Sequence, residues 1–378
     1  MPAAMIDRIA ETVECVVRVA TGADNRSLIA LAAACPMRGD VSLRIDRGPD
    51  FFALNRLEGE RWSVGVVDGE RSTVGCVAFS ERFVYFNGVP ALTGYAGDLK
   101  VHPAHRSGRV ADALSRFAVA ASEALPSGAP TLITVLAGNR AMERRMAGPR
   151  GLPRFTRIAT VRSHSLSILW HRKRPLASRI VVGRAKWSDL DDMIRLWKRV
   201  APSRQFAPVL DAPSLSQWIK RAPGLDISSY MLARSNGELV GFFALWDQRS
   251  FKQLYVERYS RRLAVTRRCF NTLAPLMGAE KLPPRGEPLR FLTALHVCVP
   301  HARPEVLRSL IVDAHNELRH HGYSFFNIGL DVCDPLADAL NGLFAQPTDV
   351  NAFVTATHSS LDASEFAGRP LHYEIALV

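Results

Sequence analysis

The sequence predicts an α/β protein of two tandem domains, each with a mixed sheet in which an antiparallel meander leads into a βαβ unit. Three observations predict this fold class. The chain has 378 residues, and because single domains are typically about 100–200 residues long, two domains are the default expectation. Hydrophobic periodicity changes from strand-like to helical in a fixed order. The same order of elements then occurs a second time along the chain.

The composition is that of an ordinary globular protein, with 47% apolar and 22% charged residues. No apolar run approaches the roughly 20 residues that span a bilayer, and we therefore expect no membrane partner. The first residues, MPAAMIDRIAETVE, are acidic and lack the continuous apolar core of a signal peptide. The cytoplasm is the simplest location for such a chain.

The net charge of +12 and the pI of about 9.8 favour an anionic partner. That partner is a nucleotide cofactor, an anionic substrate or nucleic acid, unless the charge belongs only to a solvated surface. The six cysteines form no CxxC pair and most stand in apolar strings, which predicts buried, reduced thiols. His102 and His105 lie three residues apart but lack a third ligand, so no metal is expected.

The first half begins with a helix over Ser27–Cys35, and Asp50 is placed to cap a short helix, DFFALNRL. Two hairpins follow. Asp68-Gly69 connects WSVGVV to TVGCVAFSERFVYF, and Asn87-Gly88 connects that strand to VPALTGYAGDLKV. Asp-Gly and Asn-Gly are favoured in tight hairpin turns. These strands therefore predict an antiparallel meander.

The meander leads into a helix from Val110 to Glu123, with apolar residues on one face. Thr131–Gly138, TLITVLAG, is an apolar run without alternation, as expected of a strand buried on both faces. A strand, a helix and a strand in that order predict a parallel pair joined by a right-handed crossover. The mixed sheet should therefore change from antiparallel to parallel at its middle.

A basic segment with a proline, Trp170–Arg179, predicts an interdomain linker. After it come a strand, an Asp-rich helix start and a helix, then a hairpin around Asn236-Gly237, and then another strand, helix and strand. The second half thus repeats the order of the first. We expect one domain over residues 1–172, a linker over 173–178 and a second domain over 179–378.

The stretch LKVHPAHRSGRVADAL, which runs from Leu99 to Leu114, joins a strand to a helix. The first N–H groups of a helix are unpaired, and the helix dipole favours negative charge there. Gly108 lets the backbone approach a ligand closely, and Arg106 and Arg109 add charged donors suited to phosphate. The stretch predicts a pyrophosphate cradle; the other interpretation is a solvated helix start with incidental arginines.

This stretch resembles the strand, Val-x-Pro and Arg- and Gly-rich loop of the GNAT superfamily of acyl-CoA-dependent N-acyltransferases. The segment VLAGNRAMERRM supports the resemblance, because Asn139 stands where the family's second signature begins after the parallel strand. The resemblance implies that the strand pairs with the pantetheine arm of acetyl-CoA, or of another acyl-CoA, and that the loop N–H groups hold its pyrophosphate. The implied cofactor-binding residues are Leu99, Lys100, Val101, Arg106, Ser107, Gly108, Arg109, Val110, Ala111 and Asn139.

The sequence departs from the family pattern at two places. In RSGRVA, Arg109 stands where many relatives have the second glycine, and Gly108 can compensate one residue earlier. In the second half, HVCVPHARPEVLRSLI has no glycine in the loop, and Pro304 takes the helix start. We therefore expect the first half to bind the cofactor. The second half is then a degenerate copy that shapes the acceptor pocket or supports the fold.

Acyl transfer to an amine needs a base, donors for the tetrahedral oxygen and a proton for the leaving thiolate. The resemblance implies that the base comes from the strand that ends in proline, which offers Tyr95 and Asp98 as catalytic residues. Gly97 stands where some relatives carry a glutamate, and Asp98 also suits a structural hydrogen-bonding role. Met146 stands where many relatives carry a tyrosine that acts as the general acid. The proton for the CoA thiolate therefore comes from Tyr95, Tyr85, water or the substrate ammonium.

The expected function is transfer of an acyl group, in the first place acetyl, to a small-molecule or peptide amine. One alternative is a transferase similar to the Fem-type aminoacyl-tRNA-dependent ligases, which have no need of a pyrophosphate cradle. Another is a CoA-binding regulatory module without chemistry. The stretch Arg258–Phe270 predicts a helix with five arginines, which is a solvated face, an anionic-substrate surface or an RNA contact, in that order of preference. Nucleic acid is thus not the expected partner, and an oligomer is left open.

Overall fold

The computed structural model of the chain describes residues 15–70, 72–106, 108–126, 128–148, 152–174, 179–356, 366 and 368–378. The strands are β1 (Arg18–Val19), β2 (Val41–Asp46), β3 (Arg61–Asp68), β4 (Thr73–Phe86), β5 (Val89–Val101), β6 (Pro130–Leu136), β7 (Thr156–Ser167), β8 (Ile180–Arg184), β9 (Ala207–Pro208), β10 (Tyr230–Ser235), β11 (Glu238–Trp246), β12 (Gln253–Tyr259), β13 (Phe291–Cys298), β14 (Phe325–Asp331) and β15 (Ala345–Ala356). The α-helices are α1 (Asn25–Ala34), α2 (Asn55–Glu58), α3 (Arg109–Glu123), α4 (Arg140–Met146), α5 (Leu190–Val200), α6 (Ala212–Arg221), α7 (Arg261–Met277) and α8 (Pro304–Leu318).

Within the described residues, thirteen strands form one mixed sheet. Its order is β1-β3-β4-β5-β6-β15-β7-β14-β13-β11-β10-β8, and β9 pairs with β4 at the side. The strands β2 and β12 form a separate two-stranded ribbon. Helices and a mixed sheet together confirm the α/β class that the sequence predicts.

The order and direction of the strands are the same in both halves. β3 pairs with β4, and β4 with β5, in antiparallel fashion, whereas β5 pairs with β6 in parallel. Likewise β10 pairs with β11, and β11 with β13, in antiparallel fashion, whereas β13 pairs with β14 in parallel. The turn between β4 and β5 has a positive φ at Asn87 (52°) and Gly88 (86°), as a tight Asn-Gly hairpin turn requires. The sheet thus changes direction where the sequence predicts.

The last strands of the two halves are exchanged. β7 follows α4 in the first half, yet it pairs with β14 of the second half. β15 comes near the end of the chain and lies between β6 and β7, pairing with both. The sheet therefore runs without interruption from one half to the other. The expected linker lies between β7 and β8, and its residues 175–178 are outside the described part of the chain.

The helix α3 covers one face of β3, β4 and β5. Its buried residues include Val110, Ala113, Leu114 and Ala118, which recur at intervals of three and four residues as helical periodicity predicts. A Cβ atom on Gly75 of β4 would lie 2.6 Å from Cγ1 of Val110, so this glycine lets α3 pack closely. Close packing fixes the start of α3 relative to the end of β5.

The six cysteines, all within the described residues, are free. The expectation that they are buried is confirmed for Cys76 and Cys298, whereas Cys15 and Cys35 are half-buried. It is wrong for Cys269 and Cys333, which are exposed. Cys269 lies on α7, a helix with little burial, and Cys333 lies in the turn after β14. Charged neighbours, Arg268 beside Cys269 and Asp334 beside Cys333, set these two cysteines apart from the ones in apolar strings.

The arginine-rich helix α7 begins at Arg261 rather than at the predicted Arg258, because β12 continues to Tyr259. Ser260 caps it, and the Ser260 hydroxyl accepts a hydrogen bond from the N–H of Leu263. No helix in the described part of the chain, α7 included, is long and apolar enough to cross a membrane.

Candidate active site

The two parallel strands β5 and β6 separate halfway along their length. They pair over residues 94–96 and 131–133, after which each strand continues on its own. β5 carries a β-bulge at this point, because its register against β4 gains one residue and Asp98 adopts a positive φ of 51°. Strands that separate leave backbone N–H and C=O groups facing the gap, where they need another partner.

A cavity of about 510 Å³, the split cavity, lies in this gap. It is lined by residues 97–100 of β5 and 134–136 of β6, together with side chains of α3 and α4 such as Ala118, Val119 and Met142. Its size and its mostly apolar walls are typical of small-molecule sites, which span about 300–1,000 Å³. The cavity has room for a slender ligand along the free edge of β5.

Some of the predicted cofactor-binding residues line the split cavity. They are Leu99, Lys100 and Asn139. Asn139 also caps α4, because its side-chain oxygen accepts a hydrogen bond from the N–H of Met142 at 3.3 Å. Val101 is the last residue of β5, before the turn that leads to α3.

The other predicted residues lie at the start of α3, outside the lining of the split cavity. They are Arg106, Gly108, Arg109, Val110 and Ala111; Ser107, between them, lies outside the described residues. Gly108 precedes the helix with a φ of 96°, which glycine adopts without strain. Arg106 and Arg109 are exposed, whereas the side chain of Val110 is buried. The helix start is where the sequence predicts, with both arginines facing solvent.

Arg145 of α4 is a cation at this site that sequence reasoning missed. It lines the split cavity and forms an ion pair with Asp112 in the first turn of α3. Its Nη2 also lies 3.5 Å from the carbonyl oxygen of Gly108. Arg145 therefore ties α4 to the start of α3 and adds positive charge beside it.

A second cavity of about 660 Å³, the rear cavity, lies on the opposite face of the same strands. Successive residues of a strand point to opposite faces. Accordingly, Ala96 and Ile133 line the split cavity, whereas Tyr95 and Leu132 line the rear cavity. The second half supplies much of the rear wall, from α6, β13 and the segment 372–377. The rear cavity thus lies behind the paired stretch of β5 and β6, next to the point where the strands separate.

Three hydroxyl groups form a chain between the two cavities. The hydroxyl of Tyr95 lies 3.1 Å from Oγ1 of Thr134, which lies 2.8 Å from the hydroxyl of Tyr373. Burial raises the pKa of Tyr95 well above its ordinary value, so this hydroxyl stays protonated at neutral pH. Sequence reasoning missed Thr134 and Tyr373. A polar residue within the apolar strand TLITVL was a signal for Thr134, and no signal pointed to Tyr373.

The carboxylate of Asp98 is fully engaged in ion pairs. It pairs with Lys100, two residues along β5, and with Arg47 at 3.1 Å. Burial alone would raise the pKa of Asp98, but these two charges outweigh burial and hold it well below its usual range. A carboxylate with so low a pKa is a weak base. The geometry therefore favours the structural role that we weighed for Asp98 over the catalytic one.

Glu58, the last residue of α2, is a carboxylate of the rear cavity that sequence reasoning missed. Its Oε1 lies 3.3 Å from Nη2 of Arg82, and its Oε2 accepts a hydrogen bond from the Ser80 hydroxyl at 3.2 Å. The guanidinium of Arg82 stacks on the Tyr95 ring, 3.8 Å from its centroid. Burial raises the pKa of Glu58, which makes it a stronger base than an ordinary carboxylate.

The corresponding gap between β13 and β14 is filled by the C-terminal segment of the chain. The backbone N–H of His296, which has a positive φ of 51°, donates to the carboxylate of Glu374 at 3.0 Å. The space left between both strands and Leu371–Glu374 is about 10 Å³, against about 510 Å³ in the first half. The filled gap favours the expectation that the second half does not hold the cofactor.

No protein-family model matches the sequence, and no curated protein matches it either. Solved structures are similar in fold. A GCN5-related N-acetyltransferase from Sphaerobacter thermophilus is 12% identical, and the similarity covers 92% of this chain and 97% of that one with a TM-score of 0.56. Two crystal structures of Saccharomyces cerevisiae N-myristoyltransferase with bound myristoyl-CoA are 10% and 11% identical, with TM-scores of 0.59 and 0.58. The first similarity covers 94% of this chain and 89% of the myristoyltransferase chain, and the second covers 89% of this chain and 78% of the myristoyltransferase chain.

At such low identity these similarities establish the fold alone. The chain has the fold of the GNAT superfamily, and the resemblance that its motifs predict is confirmed at that level. The similarity extends over both halves of the chain, because it covers about nine-tenths of the residues or more.

Proposed function

We propose that this protein is an acyl-CoA-dependent N-acyltransferase that moves an acyl group, in the first place acetyl, to the primary amine of a small molecule or peptide in the cytoplasm. The observation that carries the proposal is the separation of β5 from β6 at the split cavity, with the rear cavity behind the last paired residues. A thioester would enter the gap from the split cavity, and an amine would approach it from the rear cavity. The fold shared with known acyltransferases agrees with this chemistry.

The donor would lie in the split cavity, with its pantetheine arm along Leu99–Val101 of β5. Free backbone groups at the separated edge are suited to amide groups of that arm. The pyrophosphate would lie at the start of α3, where unpaired N–H groups and the helix dipole favour an anion. The exposed side chains of Arg106 and Arg109 stand beside it and supply charge-assisted hydrogen bonds. Gly108 permits the close approach, and Asn139 borders the thioester end.

The acceptor amine would lie in the rear cavity and lose a proton to Glu58. The amine then attacks the thioester carbon, a C–N bond forms and the C–S bond breaks. Backbone N–H groups in the gap would stabilise the oxyanion between these steps. The nitrogen gives up its second proton as the amide forms, and this proton reaches the leaving thiolate through the hydroxyl of Tyr95, whose raised pKa keeps it protonated before and after the transfer. Thr134 and Tyr373 hold that hydroxyl in place.

The first experiment is a calorimetric titration of acetyl-CoA into the full chain. We expect one site, with affinity at least tenfold weaker in the double variant Arg106→Ala, Arg109→Ala, which corresponds to about 1.4 kcal/mol. The matched control is Arg195→Ala, Arg199→Ala, which removes two exposed arginines from α5. Two sites would show that the second half also binds the donor. An absence of binding would contradict the proposal and favour the tRNA-dependent alternative.

A second experiment separates catalysis from binding alone. Release of the CoA thiol is measured with acetyl-CoA over a panel of small amines and peptides. We expect release that depends on one class of amine. Binding of acetyl-CoA without thiol release over the whole panel would instead favour a regulatory CoA-binding protein.

A further inference from the structure

The helix α7 lies in a segment that the first half lacks. In the first half, β4 and β5 are joined by the two-residue turn Asn87-Gly88. In the second half the equivalent strands are β11 and β13, and residues 247–290 lie between them, with β12 and α7. Because the shorter connection closes the same pair of strands, the fold itself does not require α7.

One face of α7 carries large apolar side chains into solvent. Val265, Leu273 and Leu276 are 61%, 52% and 85% exposed, and Cys269 is exposed as well. Val265, Cys269 and Leu273 follow each other at four-residue intervals and Leu276 comes three residues later, so the four share one side of the helix. These four residues form the outer strip. Of the seventeen residues of α7, the structure buries Ala274 alone.

The outer strip is bordered by positive charge. α7 contains no acidic residue, and Arg261, Arg262 and Arg268 are exposed at the edges of the strip. None of these three arginines forms an ion pair with another described residue. The chain as a whole carries a net charge of +12, so the surface attracts anions over a distance.

The inner side of α7 is fixed to the body of the protein. The side-chain oxygen of Asn271 accepts a hydrogen bond from the N–H of Leu282 at 2.8 Å, and its amide donates to the Leu282 carbonyl at 3.0 Å. Arg267 lies over the ring of Tyr259, 5.4 Å from its centroid. These contacts keep the outer strip turned outward, so it cannot reach the core by rotation of the helix.

We propose that the outer strip of α7 docks on the surface of an anionic lipid membrane. An apolar strip of this kind enters the boundary between headgroups and acyl chains, and bordering arginines reach anionic headgroups. A second copy of this chain fits less well, because two such faces would oppose arginine to arginine. Nucleic acid would match the arginines but leave the apolar strip against phosphate. The sequence predicts no membrane partner, and surface docking differs from the spanning helix on which that expectation rests.

Sedimentation of the full chain with lipid vesicles tests the proposal. We expect binding to vesicles of phosphatidylcholine with phosphatidylglycerol, little binding to phosphatidylcholine alone, and weaker binding as salt rises. The variant Leu273→Ser, Leu276→Ser should bind at least tenfold less tightly. The variant Arg261→Gln, Arg268→Gln should bind about thirtyfold less tightly, from the contribution of two arginines near an anionic surface.

Two control variants match these changes elsewhere on the surface. Val181→Ser removes a 71% exposed apolar side chain from β8. Arg195→Gln, Arg303→Gln removes the same charge from arginines that are ion-paired to Asp192 and Glu305. Both controls should bind vesicles as the unmodified protein does. Equal loss in controls and test variants would overturn the proposal, because it would show an effect of net charge or of general hydrophobicity.

An environment-sensitive fluorophore reports on contact directly. When the fluorophore is attached to Cys269 in a Cys333→Ser background, its emission should shift to the blue on addition of anionic vesicles. When it is attached to Cys333 in a Cys269→Ser background, its emission should not shift. Three results would overturn the proposal: no shift at Cys269, a dimer that the Leu273→Ser, Leu276→Ser variant abolishes without any vesicle binding, or tight binding to single-stranded RNA with vesicles unbound.

Discussion

The hydroxyl of Tyr95 lies between the two cavities, within hydrogen-bond distance of Thr134. Replacement by phenylalanine removes this donor and keeps the ring on which Arg82 stacks. We expect kcat for thiol release in Tyr95→Phe to fall about 10²-fold or more, with unchanged affinity for acetyl-CoA. The control is Tyr323→Phe, which removes a hydroxyl that donates to Asp247 at 2.9 Å away from both cavities, and it should leave both quantities unaltered. Equal kcat values for Tyr95→Phe and the unmodified protein would contradict the role of this hydroxyl.

Asp98 neutralises two cations, of which Arg47 has a side chain only 3% exposed. Asp98→Asn would leave that guanidinium buried without a charge partner, and we expect it to lower the free energy of unfolding by about 3 kcal/mol at pH 7. Because the pKa of Asp98 is lowered by folding, its stabilisation is present above the ordinary value of about 3.9 and is lost as pH falls below it. Chemical denaturation from pH 7 to pH 3 should show the difference shrink.

The control for this change is Asp191→Asn, which alters an exposed carboxylate of α5 and should cost less than about 0.5 kcal/mol. A thiol-release pH profile adds a second readout. If Asp98 were the catalytic base, Asp98→Asn would abolish turnover in protein that is still folded. We expect residual turnover instead.

Single residues of the candidate site were predictable only where a motif marks them. Tyr95 and Asp98 stand in the strand that leads to the proline, and both lie at the gap. The structural role of Asp98 could not be predicted, because its ion-pair partner Arg47 is 51 positions away in the sequence. Glu58 was not readable either, because a glutamate in NRLEGE resembles any exposed helix end until folding buries it beside Arg82.

At the level of elements, the turn between β5 and α3 depends on the backbone of Gly108. Its φ of 96° costs an alanine about 1–2 kcal/mol, and we propose that a Cβ atom there also hinders the pyrophosphate of the donor. We expect Gly108→Ala to weaken acetyl-CoA binding at least tenfold, measured by calorimetry. The control is Gly342→Ala, an exposed glycine with a φ of 72° and open space around it. It should lose similar stability and bind acetyl-CoA normally; equal loss of binding would point to general destabilisation.

Elements with local signals were predicted well, and elements that depend on distant pairing were not. The signals for hairpin turns, helix caps and apolar periodicity lie within about ten neighbouring residues. For this reason β3 to β6 and α3 could be predicted from the sequence. β7 and β15 have ordinary polar strand sequences, TRIATVRSHSLS and AQPTDVNAFVTA. Their exchange depends on pairing with strands that are distant in the sequence, and no local pattern predicts it.

On the scale of the whole molecule, the exchange makes each half complete the other. β15 pairs with β6 over residues 350–356 and with β7 over residues 345–354, while β7 pairs with β14. The C-terminal segment then fills the second gap through Glu374 and reaches the first site through Tyr373. We propose that the expected domains 1–172 and 179–378, whose strands follow the same order and direction, are not independent in folding.

Cutting the chain within the linker 173–178 tests this directly. We expect residues 1–174 alone to expose the edges of β6 and β7 and residues 179–378 alone to expose β14 and β15, and strand edges without partners aggregate. Neither half should show a cooperative thermal transition, whereas the two halves expressed together should copurify in equal amounts and bind acetyl-CoA. The intact chain should unfold in one transition by calorimetry, with equal calorimetric and van't Hoff enthalpies. A separate half that melts cooperatively at the temperature of the intact chain would show that the exchanged strands add little, and that the two repeats are autonomous domains joined by a linker.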